Sequence, residues 1–167
     1  MGASLLERLF GLGTSNRQVK YDRAFLDMCL SLAGLSKCVS HQVACLIVKD
    51  NRIVSSGING TASGMVNCCD RFNPKKYDKR AHDEFTDAFE FHAEENAVLY
   101  AAKIGISIDG ATAYCTLEPC FPCLKKLHGA GVRRIVYAET KVHRTDKGGQ
   151  RAYYAKKAKL IFEHFKG

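Results

Sequence analysis

The chain of 167 residues has no tryptophan, three prolines and no apolar run near the length a bilayer demands. A membrane-spanning helix is therefore not expected. With 46% apolar and 25% charged residues and no long polar tract, disorder, a collagen-like repeat and a coiled coil are poor readings of the whole. A secretory signal is not expected either. Glu7 and Arg8 interrupt the apolar residues at the N-terminus, and no small-residue cleavage site follows. Gly2 invites N-myristoylation, but Leu6 stands where that signal wants Ser or Thr. The absence of tryptophan and of an arginine–aromatic tract also argues against a surface built to stack single-stranded bases.

What is present is positive charge and cysteine. Lys and Arg number 25 against 17 Asp and Glu, a net charge of +8 that suits an anionic ligand, a nucleotide or a nucleic acid, or simply a solvated basic surface. With no secretory signal expected, the eight cysteines are expected to be reduced, so metal binding or catalysis is the stronger expectation than a disulfide frame. Cys29 lies in a helical apolar pattern and Cys45 in an apolar strand pattern, and both read as packing residues.

Residues 1–18 read as an appendage, with Leu5, Leu6, Leu9, Phe10 and Leu12 closed by Gly11 and Gly13; residues 19–167 read as one domain. The spacing of Ala24, Phe25, Met28, Leu32 and Leu35 predicts a helix over residues 21–35. Val43 to Val48, the Asp50-Asn51 turn and Arg52 to Ser56 predict a hairpin. Residues 59–89 show little periodicity before Phe85 and predict an irregular segment, functional or stapled by metal. Helices over about 92–104, 120–129 and 150–158 then alternate with strands over 111–117, 133–139 and 159–162. That alternation predicts α/β layering with parallel neighbours.

The sharpest signal is His92-Ala93-Glu94 followed by Pro119-Cys120-Phe121-Pro122-Cys123. Two cysteines three apart share a helix face and reach one zinc ion; His92 supplies a third ligand, and the fourth tetrahedral position is left to water. Zinc lowers the pKa of such a water toward about 7. Pro119 and Pro122 are tolerated only where a helix starts, and that dipole end favours thiolates. Glu94, near a ligand without being one, can carry a proton from water to a leaving nitrogen, the arrangement of zinc deaminases acting on cytosine or adenine. A closed structural zinc with Glu94 as a surface charge is the simpler alternative.

These residues lie in a sequence that resembles the cytidine and deoxycytidylate deaminase superfamily, and within it the deoxycytidylate (dCMP) deaminases of bacteriophage type. The resemblance runs from Ala24 to Phe162. It is carried by Ser36-Lys37-Cys38, by the 43–48 strand, by Gly57-Ile58-Asn59-Gly60 and by Val66-Asn67-Cys68-Cys69-Asp70. Further on it is carried by Ala81-His82, Glu90-Phe91-His92-Ala93-Glu94, Asn96-Ala97 and Thr116-Leu117-Glu118-Pro119-Cys120. It implies a three-layer α/β/α fold around a five-stranded mixed sheet and hydrolysis of dCMP to dUMP and ammonia.

By that resemblance His92, Cys120 and Cys123 hold the catalytic zinc and Glu94 moves protons. Asn59 meets the sugar hydroxyl, and the backbone of Ala93 faces the base. Cys38, Cys68, His82 and Glu90 match a second, structural zinc site. The resemblance also implies activation by dCTP with Mg and inhibition by dTTP at a subunit interface, with Gly60, Gly64 and Lys103 as candidate contacts. It implies a homo-oligomer, a hexamer favoured, and a cytoplasmic location, that of the host if the chain is viral. The sequence departs from the family at Ala44 (usually Gly), Ile58 (often Tyr) and Lys141, which stands where relatives place a Tyr near the substrate phosphate. A lysine can hold phosphate as a point charge. The alternatives are a deaminase acting on tRNA or single-stranded DNA, and a zinc-stapled binding module with no activity.

Overall fold

The computed structural model describes residues 16–141 and 149–166. The predicted appendage therefore lies outside the described residues, save Asn16 and the two residues after it, which open the first helix. That helix, α1 (Asn16–Ala33), precedes the hairpin of β1 (Ala44–Lys49) and β2 (Arg52–Ile58). Asp50 and Asn51 form its two-residue turn, both at positive φ (52° and 58°), the turn whose twist matches paired strands. Next come β3 (Gly60–Thr61), the short helix α2 (Cys68–Arg71), α3 (Lys79–Phe89), β4 (Glu90–Phe91) and α4 (Ala93–Lys103). The chain closes with β5 (Thr112–Leu117), α5 (Phe121–Gly129), β6 (Arg134–Glu139), α6 (Gln150–Lys157) and β7 (Ile161–His164).

The five-stranded sheet runs β2-β1-β5-β6-β7, and β3 and β4 make a separate two-stranded ladder. Its first two pairings, β1 with β2 and β1 with β5, are antiparallel. Those of β5 with β6 and β6 with β7 are parallel, each bridged by a helix. The alternating second half of the sequence thus makes the parallel part, and the hairpin supplies the antiparallel part.

The strands of the hairpin and β5 alternate in where they point. Ala44, Leu46, Val48, Tyr114 and Val136 pack under α1 with Phe25, Leu26, Cys29 and Ala33. Cys45, Ile47, Ala113, Cys115, Ile135 and Tyr137 face α4, α5 and α6. Helices therefore cover both faces. No described helix is long and apolar enough to cross a membrane.

Two expectations change. The inward stripe of α1 is Asp22, Phe25, Leu26, Cys29 and Ala33, while Ala24, Met28 and Leu35, whose spacing helped predict the helix, are exposed. Polar anchors turn the helix. Asp22 accepts hydrogen bonds from the Tyr114 hydroxyl and from both terminal nitrogens of Arg134, all at 2.7 Å, and the Cys29 thiol reaches the Tyr114 carbonyl at 3.3 Å. Second, the segment read as irregular over 59–89 contains an eleven-residue helix, α3. Asp78 caps it by accepting from the Ala81 N–H at 2.7 Å, and it buries only His82 and Phe85. A stripe that narrow, half of it a histidine, gives little apolar periodicity to read.

Candidate active site and metal centres

Two helix starts meet at one point. His92 is the N-cap of α4 and Cys120 the N-cap of α5, with Pro122 in the first turn of α5. The ligand atoms of His92, Cys120 and Cys123 all lie within 4.8 Å of one another. His92 Nδ1 is 3.4 Å from each sulfur. One imidazole and two thiolates are the donor set of a zinc site that keeps a position open, and the residues fit the ion. Hydrogen bonding from Cys123, reinforced by His92, pushes the Cys120 thiol down to about 4 against the effect of burial. The thiolate beside it holds the Cys123 proton on and raises His92.

Glu94 lies in the first turn of α4 and is 5% exposed. Burial pushes its carboxyl up to about 7, and the Cys120 charge acts in the same direction. A carboxyl that changes charge near neutrality suits proton transfer.

The start of α4 is set by its contact with β2. Gly57 has no side chain to hold the helix away: a Cβ there would fall 2.2 Å from the Ala93 carbonyl oxygen and 2.4 Å from the Ala97 nitrogen. Ser55 Oγ donates to the Ala97 carbonyl at 2.6 Å, and Asn96 Nδ2 to the Ile58 carbonyl at 2.7 Å.

A cavity of about 690 Å³ opens over Glu94, His92 and Cys120. Asn59, Ala93 and Lys141 also line it. Ala93 is the first residue of α4, where backbone N–H groups lack helical partners. Asn59 is held tightly: Oδ1 accepts from the Val43 N–H (2.8 Å) and the Ser36 hydroxyl (2.7 Å), and Nδ2 donates to the His41 carbonyl (2.8 Å). Its amide thus ties the 36–43 segment to the end of β2. Lys103 ends α4, and Gly60 and Gly64 lie in or beside β3. None of these three lines the cavity.

A second donor cluster borders the same cavity. The ligand atoms of Cys38, Cys68 and His82, all buried, lie within 4.8 Å of one another. Cys38 Sγ is 3.8 Å from His82 Nε2. Glu90 joins them from β4: burial raises its carboxyl, while both thiols and His82 pull it the other way. Its Oε1 is buried without a hydrogen-bond partner among the described residues. An orphaned carboxylate oxygen beside two thiols and an imidazole is what a bound cation would satisfy, so this donor set also fits zinc. Cys69, next in sequence, is exposed and lies outside the cluster, with its sulfur 3.7 Å from Asp70 Oδ1.

Sequence reasoning did not single out His41 and Lys79, which also line the cavity, or Arg151, which pairs with the cavity-lining Glu118. Glu118 was visible as the residue before Pro119. Arg151 carries no local signal.

A model of the cytidine and deoxycytidylate deaminase zinc-binding region matches residues 19–139. The chain belongs to this deaminase family. Among its relatives, the deoxycytidylate deaminase of Enterobacteria phage T4 is 38% identical over 63% of this chain and 70% of that protein. The deoxycytidylate deaminase of Mycobacterium phage D29 is 33% identical over 70% of this chain and 93% of that protein. Among solved structures, the dCMP deaminase of cyanophage S-TIM5 in complex with dCMP and dUMP superposes with a TM-score of 0.68 at 27% identity. It covers 87% of this chain and 96% of that one. Within the deaminase family the chain is therefore of the phage dCMP deaminase type.

Proposed function

We propose that this chain catalyses the zinc-dependent hydrolytic deamination of dCMP: dCMP and water give dUMP and ammonia. The observation that carries the reading is the buried Glu94 carboxyl beside the His92–Cys120–Cys123 donor set, open to one cavity. Zinc bound by those three residues would acidify water at the site and so supply a nucleophile near neutral pH. Glu94 accepts the proton that the attacking water loses and returns it to the departing amine nitrogen. The Ala93 N–H orients the base, Asn59 meets the sugar hydroxyl through its amide, and Lys141 faces the 5′-phosphate as a point charge. Low dielectric around Glu94 keeps its proton affinity high enough to act as both acceptor and donor.

The second donor set, Cys38, Cys68, His82 and Glu90, holds a structural zinc in this reading. It joins the segment after α1 to α2, α3 and β4, whose next residue is His92. Regulation belongs to the reading as well, with dCTP and Mg activating and dTTP inhibiting through Gly60, Gly64 and Lys103. All three lie outside the cavity lining, with Gly64 and Lys103 exposed and Gly60 half-buried, which supports a separate effector site. Leu99, Tyr100, Ile104 and Ile106 are exposed along and just after α4 and support assembly into a homo-oligomer, a hexamer favoured. The enzyme would work in the cytoplasm, that of the host if the chain is viral.

The test is ammonia release from dCMP, dCTP, deoxycytidine, cytidine and a cytosine-containing oligonucleotide, each with and without dCTP or dTTP as effector. Turnover of dCMP well above the others supports the reading. Release from the oligonucleotide alone, or from none, overturns it.

A further inference from the structure

At the cavity wall, Glu118, which itself lines the cavity, forms an ion pair with Arg151 largely removed from solvent. Arg151 Nη1 is 2.9 Å from Glu118 Oε1, with the two side chains 9% and 12% exposed. Each partner also grips backbone. Arg151 Nη1 donates to the Pro119 carbonyl at 3.1 Å, and Nη2 to the Lys141 carbonyl at 3.4 Å. Glu118 Oε2 accepts from the Lys141 N–H at 3.1 Å. The Glu118 N–H donates to the Glu139 carbonyl at 2.8 Å, extending the parallel ladder of β5 and β6 by one step.

Three separate pieces of chain therefore converge on one contact. Residues 118 and 119 lead directly into Cys120. Lys141 follows the end of β6 and lines the cavity. Arg151 comes from the first turn of α6. Beyond the strand ends no ladder of the described residues holds residue 119 against residue 141, yet residue 119 leads into the ligand Cys120 and residue 141 is the proposed phosphate contact. The guanidinium fork suits this task, because its fixed donors can meet a carboxylate and two carbonyls together, which an ammonium cannot do with the same geometry.

We propose that the Arg151–Glu118 pair is a positioning device for the reaction, setting the Cys120 turn and the Lys141 backbone in a fixed relation so that thiolate and phosphate contact move as one unit. Arg151 is not among the lining residues, and the carboxylate of the cavity-lining Glu118 is taken by Arg151 and the Lys141 N–H, so the pair acts through the segments it holds. The inference rests on the deaminase reading above, since Lys141 meets phosphate only within it.

A pair that served stability alone could be exchanged for well-packed apolar residues without loss, because burying two charges carries its own desolvation cost. A positioning pair could not. The test therefore compares Arg151→Lys, Glu118→Gln and the double variant Arg151→Met/Glu118→Leu with the wild type, all loaded with zinc. The double variant removes both buried charges and keeps the protein foldable if the single variants melt. The expected result is a fall in kcat of at least tenfold in all three. Affinity for dUMP, read by calorimetry, should weaken at least fivefold, while deoxyuridine, which lacks the phosphate, changes less than twofold.

Cobalt(II)-loaded samples report thiolate geometry in their visible spectra without any substrate, and those of the variants should differ from wild type. A folded double variant with wild-type kcat, dUMP affinity and cobalt spectrum overturns the proposal. If the wild type itself neither binds dUMP nor deaminates dCMP, the functional reading falls, and the cobalt spectra alone decide the positioning role: a shifted spectrum sustains it and an unchanged one removes it.

Discussion

Gly57 and Ala93 are in backbone contact, so close that a single added methyl at Gly57 would lie 2.2 Å from the Ala93 carbonyl oxygen. That contact is made against the first turn of the helix that carries Glu94 and is capped by His92. Gly57→Ala is expected to push this turn off the sheet. Displacing catalytic groups by about 1 Å can cost on the order of a hundredfold in rate. Steady-state kinetics with dCMP, alongside thermal melting, would check it; full activity in the variant would show that the helix can yield without moving its catalytic end.

Glu94→Gln keeps the shape of the side chain and removes its capacity to take a proton. Turnover should fall by about 10²–10⁴-fold, the usual contribution of a positioned acid or base. Zinc content should stay at the wild-type value, since Glu94 lies outside the ligand set. Elemental analysis and ammonia release on the same preparation separate the two effects. Metal loss in step with activity would recast Glu94 as a ligand.

The second donor set makes a different prediction. His82→Ala should remove one zinc per chain and leave the catalytic one, because the two clusters share no ligand. The buried Cys38 and Cys68 thiols and the half-buried Glu90 would then remain with an incomplete cation site. The melting temperature should drop by roughly ten degrees, or about 3 kcal/mol at the few degrees per kcal/mol typical of a domain this size. An unchanged zinc content in the variant would show that no ion binds there.

At the far end of the sheet, Asp22 should give stability a pH signature. Burial alone would raise its carboxyl, but hydrogen bonds from Arg134, Tyr114 and Gln18 outweigh it and hold the group below its ordinary value. In the unfolded chain it titrates near ~3.9. A depressed folded value means the contribution is complete above the unfolded value and disappears as pH falls through the folded one. Asp22→Asn should therefore cost about 3 kcal/mol at neutral pH, as removal of one partner from a buried pair does. Denaturant unfolding of both proteins should show that gap constant from neutrality down to about pH 5 and closing in more acid solution. A gap that persists unchanged at low pH would assign the effect to packing.

Much of this was legible before any coordinates. His92, Glu94, Cys120 and Cys123 were readable because zinc chemistry asks for particular donors at particular spacings, and two of the donors sit on one helix turn. The hairpin was readable from its apolar runs and the Asp50-Asn51 turn. Helix α3 was harder to read because it buries little beyond His82 and Phe85. The true face of α1 was also hidden. Asp22 looks like a surface residue until Arg134, 112 positions away, and Tyr114 are brought to it.

Local chemistry, then, made the two halves of the donor set, the proposed proton carrier and the alternation of strands and helices legible, because each motif depends on residues within a turn or two of one another. Tertiary structure alone decided which way α1 faces, how closely α4 approaches β2 at Gly57, and that Arg151 closes on Glu118 beside the Cys120 turn. Those are relations between segments far apart in the chain. Their energy comes from removing charge and backbone from water together, and it exists only once the sheet has brought them into contact.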